Sequence, residues 1–163
     1  MTPAKQEALF TQYPSLFTEV HNAELENDAQ RKPWPISFGV SCGNGWFKII
    51  DELCALITHA LNQFNERHKT QVSLRVVQVK EKFGGLRFYY TWSPGQSGVI
   101  PEDLSPKIDR LKSRIEGACQ LAENLSLFTC ELCGSPAECT TEGWYHTTCA
   151  VCVEKNDKHG VRE

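Results

Sequence analysis

Between residues 46 and 66 apolar side chains recur every three or four positions: Trp46, Ile50, Leu53, Ile57, Ala60 and Phe64, with Ile49, Leu56 and Leu61 beside them. That period predicts an amphipathic helix from about Trp46 to Glu66. A second helical stripe, opened by Ser105-Pro106, runs through Ile108, Leu111, Ile115, Ala118, Ala122 and Leu125. Between the two helices the period changes to two. Val72, Leu74 and Val76 alternate and are followed by Val77 and Val79, which implies a bulge or two-sided burial near Val76. Leu86, Phe88, Tyr90 and Trp92 alternate on a return strand. Gly84-Gly85 is expected as the two-residue turn, since both positions tolerate positive φ. That register puts Phe83 opposite Leu86, Glu81 opposite Phe88, Val79 opposite Tyr90 and Val77 opposite Trp92, all on the core face. On the other face it puts Lys82 opposite Arg87, Lys80 opposite Tyr89 and Gln78 opposite Thr91.

The flanks are less regular. Thr2-Pro3 predicts a short helix with Ala8, Leu9 and Tyr13 inward, stopped before Pro14, with Leu16 and Phe17 docking the arm on the core. Residues 21–32 are polar and read as a loop or loose helix, in which His21 stands alone and solvated. Trp34-Pro35 marks extended chain, and residues 93–104 a loop. The expected fold class is α+β. It comprises an antiparallel hairpin or small sheet packed by helices (1–128) and a C-terminal treble-clef-like zinc module (129–163) packed on them.

The net charge of -3 argues against wholesale coating of DNA, but charge is uneven. Residues 71–114 carry eight basic and four acidic side chains, whereas 115–163 carry three and eight. An anionic partner is therefore expected to meet the middle of the chain. Lys80, Lys82, Arg87 and Tyr89 form the candidate partner-binding face. Like charges opposite one another on paired strands are destabilising unless solvated or bound. The bland alternative is a solvated face, or an edge kept positive against aggregation. Lys107, Arg110, Lys112 and Arg114 on the second helix are either an extension of this patch or a solvated surface.

The chain begins Met1-Thr2-Pro3-Ala4-Lys5-Gln6-Glu7, without the apolar segment of a signal peptide, and no apolar run reaches membrane-spanning length. A cytoplasmic setting follows as the expectation, in which eight cysteines stay reduced and favour metal over disulfides. Cys54 and Cys119 lie on apolar helix faces and read as small buried hydrophobes.

The strongest chemical signal is Cys130-Glu131-Leu132-Cys133 and Cys149-Ala150-Val151-Cys152, two pairs separated by fifteen residues. Two such turns supply four thiolates in a closed tetrahedral site, the ligand set of structural Zn2+. Gly134 suits a metal-binding knuckle. The intervening residues suit a short hairpin with Gly143 at its turn and Trp144 and Tyr145 packing. The second pair would begin a helix. His146 or Cys139 replacing one cysteine remains open. A redox role for either pair fits less well, because such motifs need a strand-to-helix context and two pairs together favour metal. Cys42-Gly43-Asn44-Gly45-Trp46 makes a tight turn before the first long helix. It lacks the lysine of a phosphate loop and the spacing of a dinucleotide motif.

Cys42-Gly43-Asn44-Gly45-Trp46, the block Val79-Lys80-Glu81-Lys82-Phe83-Gly84-Gly85-Leu86-Arg87-Phe88-Tyr89, Cys130-Glu131-Leu132-Cys133-Gly134, Trp144, Cys149 and Cys152 together resemble a group of small uncharacterised bacteriophage and bacterial proteins. The similarity spans about residues 36 to 152. It implies a mobile-element or bacterial cytosolic setting and brings no catalytic residues.

The leading expectation is a non-enzymatic, zinc-stabilised protein that binds a host protein or nucleic acid through the basic sheet face. The alternatives are a metal-dependent nuclease and a structural or self-assembling subunit. The nuclease reading rests on His146, Asn156 and His159 near the second cysteine pair, or on Glu81 between Lys80 and Lys82. Its weak points are the short gap between the pairs and the absence of a second strand-borne carboxylate.

Overall fold

The structure, a computed structural model, describes residues 1–18, 39–93, 102–140 and 145–159, with the side chains of 156–159 excluded. The polar segment at 21–32 with His21, the Trp34-Pro35 segment, most of the 93–104 loop and the turn with Gly143 and Trp144 lie outside the described residues.

Helix α1 spans Pro3–Gln12 and strand β1 Val40–Ser41. A 3-10 turn at Asn44–Trp46 leads into α2, Phe47–His68. The hairpin is β2, Ser73–Lys82, and β3, Gly85–Ser93. A second 3-10 turn, Glu102–Leu104, opens α3, Ser105–Ser126. The C-terminal part contains β4, Glu138–Thr140, β5, His146–Thr148, and α4, Ala150–His159. The fold is α+β. One sheet has the order β1-β2-β3, with β1 parallel and β3 antiparallel to β2, and β4-β5 forms a second ribbon.

The period-of-3.6 stripes become the core. Trp46, Ile50, Leu53, Ile57, Ala60 and Leu61 of the 3-10 turn and α2, and Ile108, Leu111, Ile115 and Ala122 of α3, are buried. They meet Leu74, Val76, Val79 and Leu86 from one face of the sheet, with Leu9, Tyr13, Leu16 and Phe17 closing the side. Burying each such side chain is worth roughly 1.5–3 kcal/mol. Four expected core positions are exposed, one of them Phe83 at the hairpin tip (72%). Ala8 faces solvent. Leu56 and Leu125 are substantially exposed, because the stripe on each helix is wider than the face its neighbours cover.

The hairpin register also differs from the expected one. The two-residue turn is Phe83-Gly84, both with positive φ (54° and 77°), and Lys82 pairs with Gly85. Lys80 therefore sits opposite Arg87, Val79 opposite Phe88 and Gln78 opposite Tyr89. From Gln78 to Lys82 every partner moves by two positions, an even shift that keeps these side chains on their expected faces, whereas beyond the bulge the shift is three, and Phe83 leaves the core face for the exposed turn. Val77 is the bulge, and the register resumes with Val76 opposite Tyr90 and Leu74 opposite Trp92. The bulge lets inward positions change from odd (Val79) to even (Val76, Leu74), as the doubled valines suggested.

Candidate metal centre

The knuckle at Cys130–Gly134 is a tight backbone turn. The Gly134 N–H donates to the Cys130 carbonyl (2.8 Å), and the Cys130 N–H donates to the Ser135 carbonyl (2.7 Å). The second pair sits where β5 passes into α4. The Cys149 carbonyl accepts from the N–H groups of Cys152 (2.9 Å) and Val153 (3.1 Å), so the helix begins on a ligand residue. These two local structures bring the sulfurs of Cys130, Cys133, Cys149 and Cys152 within 4.8 Å of one another. Tetrahedral bonds of about 2.3 Å to one ion require S···S separations of about 3.8 Å. The Cys133–Cys149 separation of 3.6 Å is close to that value, so the donor set fits a metal ion.

The electrostatics suit ligation. Ser135 donates to the Cys133 sulfur through its hydroxyl and its N–H, drawing that thiol down to about 6. The neighbouring sulfurs, Cys133 first, push Cys152 up to about 12. Four thiols this close share protons until a cation replaces them. Cys130 is fully buried, whereas Cys133 is exposed.

The two substitutes considered from the sequence are engaged elsewhere. Cys139 on β4 approaches the Phe83 carbonyl (3.9 Å). His146 on β5 contacts the Thr140 hydroxyl through Nδ1 (3.2 Å). Neither joins the cysteine cluster. The side chains of Asn156 and His159 lie outside the described residues.

The sequence did not show how the knuckle is held. The Gly43-Asn44-Gly45 turn is its cradle. The Glu131 carboxylate accepts from the Gly43 N–H (2.7 Å), and the Glu131 carbonyl accepts from the Gly45 N–H (2.7 Å). The Trp46 indole donates to the Thr129 carbonyl (2.7 Å). Burial raises the Glu131 carboxyl above its ordinary range, and the Gly43 N–H partly offsets this. A second clamp grips the hairpin tip. The buried Thr147 hydroxyl donates to the Gly84 carbonyl (2.6 Å), and the Glu131 N–H donates to the Thr147 carbonyl (2.9 Å). The only advance signal in the sequence is the tight turn itself.

On the outer sheet face, Lys82 and Tyr89 are exposed, and Lys80 lies over the Tyr89 ring at 5.2 Å. Arg87 is not free: it forms an ion pair with Glu123 of α3 across the β3 edge. The Glu81 carboxylate accepts from the Gly84 N–H (2.7 Å) and so braces the turn.

Comparison with family models, with curated proteins and with solved structures found nothing that matches the chain. Among the described residues, no helix is long and apolar enough to cross a membrane. The fold and the cysteine cluster define an α+β protein with a site able to hold a metal ion.

Proposed function

We propose that this chain is a non-enzymatic binding protein stiffened by one structural zinc ion. Four thiolates favour zinc over the oxygen-seeking divalent ions, and four protein ligands leave no open position for substrate. Knuckle, β-ribbon and a helix that begins at the second ligand pair support the treble-clef reading of the module.

The observation that carries the binding role is the clamp on the hairpin tip. The residues around the cysteine site grip Gly84, so the outer face with Lys80, Lys82 and Tyr89 is presented rigidly. A pre-ordered cationic face beside an aromatic ring suits an anionic partner, an acidic protein or a nucleic acid. Arg87 contributes less, since Glu123 already neutralises it. The resemblance to phage and bacterial proteins supports seeking that partner in a bacterial host.

Affinity purification from bacterial lysate, with and without nuclease, tests this reading against a Lys80→Glu, Lys82→Glu double variant. Capture that the variant loses and nuclease spares identifies an acidic protein. Capture that both abolish identifies nucleic acid. Capture unchanged in the variant refutes the binding face.

A further inference from the structure

A cleft of about 200 Å³ opens where the C-terminal half of α2 meets the N-terminal half of α3. Arg67 and His68 of α2 face Lys107, Arg110 and Arg114 of α3 across it, over a floor that includes Phe64 and Leu111. The three α3 residues follow i, i+3, i+7 spacing, which puts them on one helix face over a rise of about 10 Å. None of the described residues lining the cleft is acidic. Among the described residues, no ion pair neutralises Arg67, Lys107, Arg110 or Arg114.

The helix dipoles divide these basic side chains into two kinds. Arg67 and His68 occupy the last turn of α2, where free carbonyls favour positive charge. Lys107 lies in the first turn of α3, with Arg110 just beyond it, and that first turn contains no acid. There the free N–H groups disfavour cations. Glu102 and Asp103 precede the helix on its 3-10 turn but do not line the cleft. The fold therefore concentrates positive charge at the helix end least suited to it, and a bound anion is what relieves that arrangement.

We infer that this cleft binds phosphoryl groups, carried either by a small free anion or by the backbone of a nucleic acid strand. The volume is below the roughly 300–1,000 Å³ of pockets that enclose whole drug-sized ligands. It suits one or two phosphates, with the sugar or base outside. Three arginines, Arg67, Arg110 and Arg114, supply planar forks for phosphate oxygens, and Lys107 supplies a point charge. The site is separate from the outer sheet face, so Lys80 and Lys82 variants do not test it.

The full chain is titrated calorimetrically with pyrophosphate, and separately with single-stranded DNA of about 12 nucleotides, between about 50 and 200 mM salt. At least one probe saturates. Lys107→Glu and Arg110→Glu each weaken it by about tenfold or more, the scale of one charged hydrogen bond. Lys112→Glu is the charge-matched control, because Lys112 points to Trp92 instead, 6.0 Å from that ring. It should leave affinity nearly unchanged. Saturation by pyrophosphate with little further gain from DNA assigns a small anion. Tighter DNA binding with a steep salt slope assigns the backbone. Lys107→Glu also raises the melting temperature, since an acid then occupies the first turn, so its lost binding is not lost folding. No saturation by either probe, equal loss in Lys112→Glu, or no stabilisation by Lys107→Glu overturns the inference.

Discussion

Gly45 lies so close to Cys130 that a Cβ at Gly45 would overlap the Cys130 carbonyl oxygen. A residue of the 3-10 turn that leads into α2 and the first metal-ligand candidate, far apart in sequence, are thus in backbone contact. Gly45→Ala must push two pieces of backbone apart, with an expected loss of about 3 kcal/mol or more. Gly117→Ala is the control: nothing lies within 4 Å of its added Cβ. On helix propensity it should stabilise by about 0.5–1 kcal/mol. Urea denaturation compares the two. If the cradle orients the knuckle, Gly45→Ala also releases metal faster to a chromogenic chelator. Equal release rates in wild type and Gly45→Ala would confine the contact to stability.

Metal content is the next test. Elemental analysis should give about one zinc per chain. The Cys149→Ser, Cys152→Ser double variant should lose it, since two remaining thiolates cannot close the site. Strong chelation should lower the melting temperature of wild type and leave that of the double variant nearly unchanged. Full zinc occupancy in the double variant would remove these four cysteines as the ligand set.

The legible and illegible parts of this chain differ by the range of the physics involved. Ile50, Ile57, Ile108 and Ile115 announce their helices through local period, and all are buried. The four cysteines announce a cluster through local spacing. Phe83 misled the register, because a bulky residue at positive φ runs against turn preference and Gly84-Gly85 looked the better turn. The faces of Gln78 to Lys82 survived because the error there was even, while Val77 and Phe83, expected inward, became the bulge and the exposed turn residue. The cradle at Gly43 and Gly45 had no local signature, since a tight turn reads the same whether it meets solvent or another backbone. Strand β1 is two residues long, too short for any period to show. Glu123 could not be matched to Arg87 without knowing that α3 runs along the β3 edge.

Alkaline pH should weaken the fold through its buried thiols. Burial pushes Cys42 up to about 12 and raises Cys54 as well. Above an unfolded pKa of about 8.5–9, the unfolded thiol ionises while the native one stays neutral. The native state then binds more protons, so stability falls as pH rises. For Cys42 the loss approaches about 1.4 kcal/mol per pH unit until the folded pKa is reached. Urea midpoints at neutral pH and near pH 10 measure the slope. Cys42→Ala should be less stable at neutral pH yet flatter with pH, and an unchanged slope would show that this thiol does not report on folding.

Phe83 combines two costs. It is a bulky residue at φ 54°, and it is 72% exposed at the hairpin tip. A side chain in that conformation costs roughly 1 kcal/mol or more. Among the described residues, its one ring contact is edge-on to Tyr145 at 6.3 Å, and Tyr145 is itself exposed. Such a pair adds about 0.5 kcal/mol at the low end of its range. Phe83→Asn makes the turn Asn-Gly, which is favoured where both central residues have positive φ. The melting temperature should therefore rise, by the equivalent of about 0.5 kcal/mol. Phe83 also adjoins exposed Lys82, so a partner bound on the proposed outer face would meet its ring. The variant should then be more stable and capture less partner from lysate. A fall in melting temperature would show that the Tyr145 contact outweighs the turn strain, making Phe83 a structural residue. Higher stability with full capture would leave Phe83 outside the interface.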